Sequence, residues 1–536
     1  MLYQLSYITS SWFPAGLMAV GEHKSSKPFL TCKPEAKKYC ERKLNRGKDV
    51  ICYAYRVYFG SNPKPTHFPV HFSIQNILFL LVALAGFGLF AWQASRIRAN
   101  VLVGRDRDVS GNVNERLWKT LLVAFGQQKM FKRLTPALLH LIVYVGFIVI
   151  NIEVIEIMVD GLFGTHRFLQ FAGPAYSALT GTNEVLGALV VGAVTAFWWR
   201  RNVGVVRRFT GVEMRAWPKL DANVILYVEV VLMAALFLMN TADLKAHQLQ
   251  NLPMPGAFPI SQFLTGLLPD SVATLEVLER VGWWAHIVGI LLFLNYLPSS
   301  KHFHIILAFP NVYFSRLIPQ GQFSNVDSIT HEVKAMMDPS YPVPAPATNA
   351  DGSLATPTPF GAKDVDDLAW TNLLNAYSCT ECGRCTSVCP ANITGKLLSP
   401  RKIIMDTRDR MEEKYNAPLI FDPALYGQAA KHDPQEQLDK ENHTLLRGYV
   451  TPEELWACTT CNACVEACPV NINPLDSILE MRRFLVLEES AAPNSLNVMF
   501  SNIENNGAPW AFSPSDRFNW ADELFVADKK KLEVRS

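Results

Sequence analysis

The sequence contains 536 residues with a formal net charge of +2, and 49% of its residues are hydrophobic. This length allows two or three domains, while the nearly balanced charge gives no reason to expect nucleic acid as a partner. The long apolar runs lie between Ser73 and Leu297, whereas the segment from Asp338 to Ser536 is polar and charged. We therefore predict a mainly α-helical chain in which a membrane domain precedes a soluble domain.

Residues 1–71 are predicted to be a poorly ordered N-terminal extension. They are rich in Lys and Arg, and they lack the basic start and clean cleavage site of a signal peptide. Cys32, Cys40 and Cys52 lie in this extension and are interpreted as ordinary thiols. A start site placed too far upstream is the alternative interpretation, and we assign the extension no function.

Five segments are apolar enough to cross a bilayer, which takes about 20 residues of helix. The predicted spans are Ser73–Ala94, Leu134–Met158, Asn183–Trp199, Asn223–Asn240 and Val281–Leu297. A buried helix of a soluble core is the alternative for any one segment, but five in series favour a membrane bundle. We assign residues 72–305 to this five-helix transmembrane bundle.

Loop charge predicts the orientation of the bundle, because loops rich in Lys and Arg remain in the cytoplasm. The basic residues between the first and second spans and between the third and fourth are Arg96, Arg98, Arg105, Arg107, Arg116, Lys119, Lys129, Lys132, Arg133, Arg200, Arg201, Arg207, Arg208, Arg215 and Lys219. The soluble domain would then face the cytoplasm, a reducing compartment in which thiolate ligands persist. We expect a multi-pass protein of the bacterial inner membrane.

Residues 306–361 are predicted to connect the two domains. The stretch from Asp338 to Gly361 is rich in Pro, Ala, Ser and Thr and lacks apolar periodicity, which is typical of an extended linker. We expect this linker to tether residues 362–536 to the bundle without fixing their orientation.

Eight of the eleven cysteines form two runs with the spacing C-x2-C-x2-C-x3-C-P, at Cys379–Pro390 and Cys458–Pro469. A [4Fe–4S] cluster needs four thiolates, and three cysteines at two-residue intervals can surround one cluster. Two zinc sites are the alternative, but zinc would leave the third and fourth cysteines and both prolines unexplained. The runs therefore predict two [4Fe–4S] clusters in an α-helical, ferredoxin-like domain at residues 362–536.

The fourth cysteine of each run is expected to bind the cluster of the other run, as in two-cluster ferredoxins. The predicted ligands are Cys379, Cys382, Cys385 and Cys468 for the first cluster, and Cys458, Cys461, Cys464 and Cys389 for the second. The long stretch between the runs has a helical pattern that could exclude water or form a docking face.

Histidines in spanning segments are functional candidates, because polar side chains are costly in a bilayer. His140 lies near the cytoplasmic start of the second span and His286 near the outer start of the fifth, while His302 and His304 follow the cytoplasmic end of the fifth span. His286 and His304 are five turns apart, or about 27 Å of helix, a spacing that suits two stacked haems. We interpret these residues as candidate ligands of haem b.

The haem ligand pairs remain alternatives at this stage. His140 with either His304 or His302 could bind a haem near the cytoplasmic side. His286 needs an outer partner, for which His166 is the candidate. Interfacial histidines bonded to carbonyl groups or lipid are the competing interpretation.

Three carboxylates lie in or near the apolar segments, namely Glu153, Glu156 and Glu229. Glu153 and Glu156 are three residues apart and so occupy neighbouring positions on one helix face. They could relay protons to or from a quinone near the outer side. Helix-end or snorkelling carboxylates are the alternative.

The cysteine runs AYSCTECGRCTSVCPANITGKLLSPRKII and ELWACTTCNACVEACPVNINPLDSILEMRR resemble those of the heterodisulfide-reductase-like iron–sulfur oxidoreductases. That family includes membrane proteins that pass electrons from electron-transfer flavoprotein to quinone. The five-span bundle resembles the haem b subunit of respiratory nitrate reductase. That subunit carries two haem ligands on its second span and two, eighteen residues apart, on its fifth, and His140, His286 and His304 match this pattern.

The sequence departs from the family at two points. Ile150 stands where the second span of the haem subunit has its second histidine, which puts the outer haem in doubt. Longer relatives continue into a domain with cysteine-rich CCG motifs, and no such motif follows Trp520 here. We expect a separate iron–sulfur subunit to supply that domain.

The resemblance implies a quinone-linked electron-transfer subunit, and the sequence leaves open whether the chain is itself an enzyme. The expected partners are the CCG-domain subunit, electron-transfer flavoprotein or another cytoplasmic redox protein, and membrane quinone. A haem-free membrane anchor that presents a ferredoxin domain is one alternative. A redox-driven ion pump is another.

Overall fold

The computed structural model describes residues 73–204, 206–319, 321–342, 358–415, 443–522 and 524. The predicted N-terminal extension and most of the Pro/Ala-rich linker lie outside the described residues. These two interpretations therefore stay predictions.

The described residues are helical, and they form no β-strand beyond two isolated bridges. The α-helices are α1 (Ile74–Val101), α2 (Val113–Thr120), α3 (Leu134–Phe163), α4 (Pro174–Asn202), α5 (Trp217–Leu249), α6 (Ser261–Leu264), α7 (Val272–Tyr296), α8 (His304–Tyr313), α9 (Asp327–Met337), α10 (Trp370–Tyr377), α11 (Arg384–Val388), α12 (Pro390–Ile393), α13 (Pro400–Tyr415), α14 (Pro452–Trp456), α15 (Ala463–Ala467), α16 (Pro474–Arg483) and α17 (Asn494–Asn506).

Five helices, α1, α3, α4, α5 and α7, are long and apolar enough to cross a membrane. The predicted fold class, a five-helix bundle followed by an α-helical iron–sulfur domain, is confirmed. The helices extend beyond the predicted spans, most clearly where α4 begins at Pro174 rather than Asn183. Hydropathy identifies only the apolar part of a helix. The first turns of α4 contain less apolar residues, such as the buried Tyr176, which hydropathy does not detect.

The long helices pack around a core that includes Phe79, Ile150, Leu236 and Ile287. The most extensive pair is α5 and α7. Gly282 permits this approach, since a Cβ there would lie 2.8 Å from the Met239 nitrogen. Small residues at such crossings are typical of membrane helices, which rely on close backbone packing.

The iron–sulfur domain is docked on the end of the bundle where α3 begins and α7 ends, here called the cluster end. Ile97 and Phe303 of the bundle share one hydrophobic core with Leu373 and Ile403 of the domain. The expectation of a tether that leaves the orientation free was therefore wrong. The composition of the linker predicts that the linker itself is extended, but it gives no information on contacts elsewhere. The hydrophobic core shared by the bundle and the domain fixes the orientation of the domain.

Ion pairs between distant parts of the chain reinforce this docking. Arg107 pairs with Asp476, Arg105 lies 2.7 Å from Asp367, and Arg401 lies 2.7 Å from Glu213. The predicted domain boundary at residue 305 falls inside α8 (His304–Tyr313), which contacts both α2 and α10. The connecting segment is thus part of the interface.

Candidate redox sites

The two cysteine runs adopt the same local backbone. Glu381 and Gly383 in the first run have φ of 52° and 67°, and Thr460 and Asn462 occupy the same positions in the second run with φ of 55° and 59°. These left-handed residues turn the chain back on itself. Each loop therefore wraps its three cysteines around a common centre.

Backbone N–H groups donate to the cysteine sulfurs of both runs. The Glu381 nitrogen lies 3.4 Å from Cys379 Sγ, and the Thr460 nitrogen lies 3.4 Å from Cys458 Sγ. The Ile472 nitrogen is 3.3 Å from Cys468 Sγ. Such bonds stabilise thiolates and tune the potential of a cluster bound to them.

The fourth cysteine of each run lies beside the other run, and two cavities result. The first is lined by Cys379, Cys382, Cys385 and Cys468. The second is lined by Cys389, Cys458, Cys461 and Cys464. The structure thus brings together the two groups that sequence spacing predicts, while their role as ligands remains a prediction.

The cysteine thiols of the first group lie in an environment that disfavours the charged thiolate. Burial raises the pKa of the Cys379 thiol to about 12 and that of Cys468 to about 11, so that thiolates here need bound cations such as cluster iron.

A buried charge network lies between the first cavity and the bundle. Glu381, in the loop of the first run, pairs with Lys301 at the end of the fifth span and lies 2.9 Å from Arg408. Burial alone would raise the pKa of Glu381, but the charges of Lys301 and Arg408 lower it to about 2. Sequence analysis missed this network, because Lys301 resembles any basic residue that follows a membrane span.

Replacing Gly383 with alanine is expected to destabilise the first site by roughly 1–3 kcal/mol, because a Cβ would overlap Arg401 Nη1. The measurement is the temperature at which cluster absorbance is lost. Gly395→Ala is the matched control, since Gly395 also has positive φ but nothing lies within 4 Å of its Cβ position. Equal losses in the two variants would contradict the steric explanation.

Three of the predicted histidines lie together at the cluster end. The rings of His302 and His304 are 5.6 Å apart between centroids, and His140 lies within electrostatic range of both. His140 Nδ1 is 3.1 Å from Gln127 Oε1, and His304 Nδ1 is 3.0 Å from the Lys301 carbonyl. Histidines whose Nδ1–H is held by an oxygen present Nε2 to a metal.

His302 differs from these two, because its Nδ1 is buried without a hydrogen-bond partner among the described residues. Burial lowers the pKa of His302 to about 3, so this ring is neutral. The arrangement therefore fits a haem held by His140 and His304 better than one held by His302.

The structure does not bring His166 and His286 together. His286 Nδ1 lies 2.9 Å from the Leu232 carbonyl, deep in the bundle. His166 Nε2 lies 3.9 Å from Glu279 Oε1, and Glu279 precedes His286 by two helical turns, or about 10 Å. His166 is thus displaced toward the far end of the bundle, in a polar cluster with Asp243.

Comparison with known proteins places the cysteine runs in a recognised domain. A family model described as a 4Fe-4S dicluster domain matches residues 378–472. The chain contains a two-cluster iron–sulfur domain. Its match covers both cysteine runs and the helices between them, so the prediction of iron–sulfur clusters is confirmed at the level of the domain.

Relatives extend the similarity into the bundle. The chain is 31% identical over 470 residues to the probable iron-sulfur-binding oxidoreductase FadF of Bacillus subtilis. The aligned region covers 84% of this chain and 61% of the relative. The chain is 24% identical over 481 residues to the EtfAB:quinone oxidoreductase of Syntrophomonas wolfei, covering 87% of this chain and 61% of that protein. The chain thus spans about 61% of the length of each.

A third similarity is shorter. The chain is 37% identical over 181 residues to a probable membrane-anchored ferredoxin of Chromohalobacter salexigens, covering 33% of this chain and 27% of the relative. No solved structure matches the chain. By name, one of these relatives is an iron-sulfur-binding oxidoreductase, one is a quinone oxidoreductase and one is a membrane-anchored ferredoxin.

Proposed function

We propose that the chain carries electrons between a cytoplasmic redox partner and membrane quinone through two [4Fe–4S] clusters and a b-type haem. The observation that carries this proposal is the contact between the first cysteine loop and the histidine group. Glu381 in that loop pairs with Lys301, and the Lys301 carbonyl in turn accepts from His304 Nδ1. The first cluster would therefore lie next to the haem ligands.

The two sites differ in their access to a partner. Each group contains two buried cysteines, but the second group also contains the exposed Cys461, whereas none of the four cysteines of the first group is exposed. Arg384 and Arg401 attach the first site to the bundle through the carbonyls of Lys129 and Arg208. We infer that a soluble partner exchanges electrons with the second cluster, which exchanges them with the first.

His140 and His304 are the proposed ligands of the haem. When bound, haem b supplies a one-electron carrier inside the membrane. Gln127 and Lys301 orient the two rings by accepting from Nδ1, and the surrounding apolar helices exclude water. In the part of the chain that the structure describes, His286 has no partner histidine at its level, so we propose one haem.

The proposed side of the membrane follows from loop charge, because the basic loops adjoin the docked domain at the cluster end. The cluster domain then faces the cytoplasm of a bacterial cell. The name of the Syntrophomonas wolfei relative suggests an electron-transfer flavoprotein as donor and a quinone as acceptor. A CCG-domain iron–sulfur subunit is the proposed additional partner.

Haem and iron content of the purified full chain test this proposal. We expect about eight iron atoms in clusters and one haem b per chain, measured by iron assay and the pyridine haemochrome spectrum. Absence of haem from a chain with full cluster content would contradict it. That result would favour a haem-free anchor, the alternative that similarity to a membrane-anchored ferredoxin supports.

Replacing His304 with alanine is expected to abolish haem binding, whereas His302→Ala should retain most of it. The reason is that His304 Nδ1 is held by the Lys301 carbonyl, while His302 Nδ1 has no hydrogen-bond partner among the described residues. Haem content and the reduced b-type spectrum are the measurements. Loss of haem from H302A with retention in H304A would reverse the ligand assignment.

A further inference from the structure

Two buried side chains in the bundle each have one oxygen atom without a hydrogen-bond donor among the described residues. Glu153 on α3 is 3% exposed, and Asn183 on α4 is 1% exposed. Asn183 Nδ2 donates to Glu153 Oε2 at 3.0 Å, yet Glu153 Oε1 and Asn183 Oδ1 have no partner among the described residues. One hydrogen-bonded pair therefore carries two buried acceptor oxygens that face no donor.

Glu184, the next residue along α4, indicates what an ionised carboxylate requires in this environment. It accepts from the backbone nitrogens of Ile260 at 2.8 Å and Ser261 at 2.9 Å. It also accepts from Asn240 Nδ2 at 3.3 Å and from the Ser261 hydroxyl. Glu153 accepts a single bond, and a charge buried with so few donors is strongly unfavourable.

We infer that Glu153 is a neutral carboxylic acid that forms a proton-binding site inside the bundle. A proton on Oε1 supplies the missing donor, because the acid can donate to Asn183 Oδ1 while it accepts from Asn183 Nδ2. An acid and a primary amide satisfy each other in this way through two hydrogen bonds. The protonated Glu153 Oε1 and Asn183 Oδ1, which otherwise have no partner among the described residues, then form a hydrogen bond with each other.

Protonatable groups connect this site to the far end of the bundle. Glu156 lies three residues after Glu153, at a neighbouring position on α3. Glu156 Oε2 accepts from the Tyr176 hydroxyl at 3.0 Å, and Arg167 Nη1 donates to that hydroxyl oxygen at 3.2 Å. Tyr176 therefore links the carboxylate to a buried arginine.

The connection continues from Arg167 to the surface. Arg167 Nε donates to Asp243 Oδ2 at 2.7 Å. His166 Nε2 lies 4.0 Å from Asp243 Oδ1, and the His166 side chain is 45% exposed. His166, which the structure does not pair with the predicted partner His286, is therefore an exposed protonatable group at the end of this series.

The role of this site as a proton donor to quinone rests on the proposed function. Reduction of a quinone to a quinol takes up two electrons and two protons. The electrons come one at a time from the cofactors, and Glu153 would donate one proton to each of the two reduced quinone oxygens in turn. The carboxylate left after each transfer would be reprotonated from the far end through Glu156, Tyr176 and His166, so that two protons enter for each quinol formed.

Infrared spectroscopy of the purified full chain tests the protonation directly. We expect a carboxylic acid carbonyl band that shifts in ²H₂O, is lost in Glu153→Gln and moves in Asn183→Leu. Glu276→Gln, which removes an exposed carboxylate of α7 outside the network, should leave the band unchanged. A band that is unaffected by both Glu153→Gln and Asn183→Leu would overturn the inference.

Anaerobic reoxidation of the prereduced protein tests the role in catalysis. With a short-chain naphthoquinone as acceptor, Glu153→Gln should slow reoxidation by roughly 100-fold, the usual contribution of a general acid. With ferricyanide, which takes no proton, its rate should match the wild type. A wild type that quinone cannot reoxidise would refute the proposed function, whereas equal quinone rates in wild type and Glu153→Gln would refute only this inference.

Discussion

Replacing Cys468 with alanine is expected to remove the first cluster, although Cys468 belongs to the second cysteine run. The cavity lined by Cys379, Cys382 and Cys385 contains this fourth sulfur, and a cluster left with three thiolates has one iron without a protein ligand. The expected loss is about four of eight iron atoms per chain. Iron content and the paramagnetic signals of the reduced protein are the measurements.

Double variants identify which cluster is lost. The combination C468A/C379A should lose no more iron than either single variant, because both residues belong to one site. The combination C468A/C458A should lose nearly all cluster iron, since Cys458 belongs to the other cavity. The opposite pattern would mean that each run binds its own cluster, and Cys52→Ala, outside both runs, serves as the control.

Replacing Lys301 with methionine is expected to cost about 3–5 kcal/mol, the usual penalty for removing one partner of a buried ion pair. Lys301 pairs with Glu381, lies 3.7 Å from Asp221 and donates to the Pro218 carbonyl at 2.7 Å. Without it, two buried carboxylates lose a counter-charge where the domain meets the bundle. We expect earlier thermal loss of cluster absorbance and faster hydrogen exchange in α11.

Two further variants make this prediction specific. Lys132→Met removes a lysine from the half-exposed pair with Glu466 at the same interface, and such pairs contribute about 0–1 kcal/mol. The double variant K301M/E381Q should recover only part of the lost stability, because it removes both charges of the pair but leaves Asp221 and Arg408 with one counter-charge fewer each. Equal stability of K301M and K132M would show that the buried network does not hold the domain.

Local patterns in the sequence predicted the cluster and membrane elements. Cysteine spacing is set by cluster geometry within a dozen residues, and hydropathy is set by the bilayer, so both can be recognised without knowledge of the fold. The grouping of Cys389 and Cys468 with the opposite runs also follows from spacing, because the proline after each fourth cysteine turns the chain away.

The docking of the two domains could not be predicted in the same way. Arg107 and Asp476 are separated by 369 residues, and neither has an unusual sequence context. Glu213 and Arg401 are separated by 188 residues, and their sequence context is equally ordinary. Such pairs depend on the packed core shared by the two domains, which the linker composition does not reveal.

For the histidines, the sequence predicted the position along the helix but not the partner. The spacing of His286 and His304 matched a two-haem pattern, but it did not show which side chains lie opposite these two residues. The structure places His304 beside His140 and leaves His166 with Asp243 and Glu279. The depth of a residue along a span can be counted, whereas its partner depends on helix rotation.

The path of electrons from the clusters to quinone is tested most directly by stopped-flow reoxidation of the reduced full chain with a short-chain naphthoquinone, in wild type and in H304A. We expect cluster absorbance to recover rapidly in the wild type and to remain bleached in H304A, while ferricyanide reoxidises both. Equal recovery with quinone in the two proteins would contradict a path through the haem at His140 and His304.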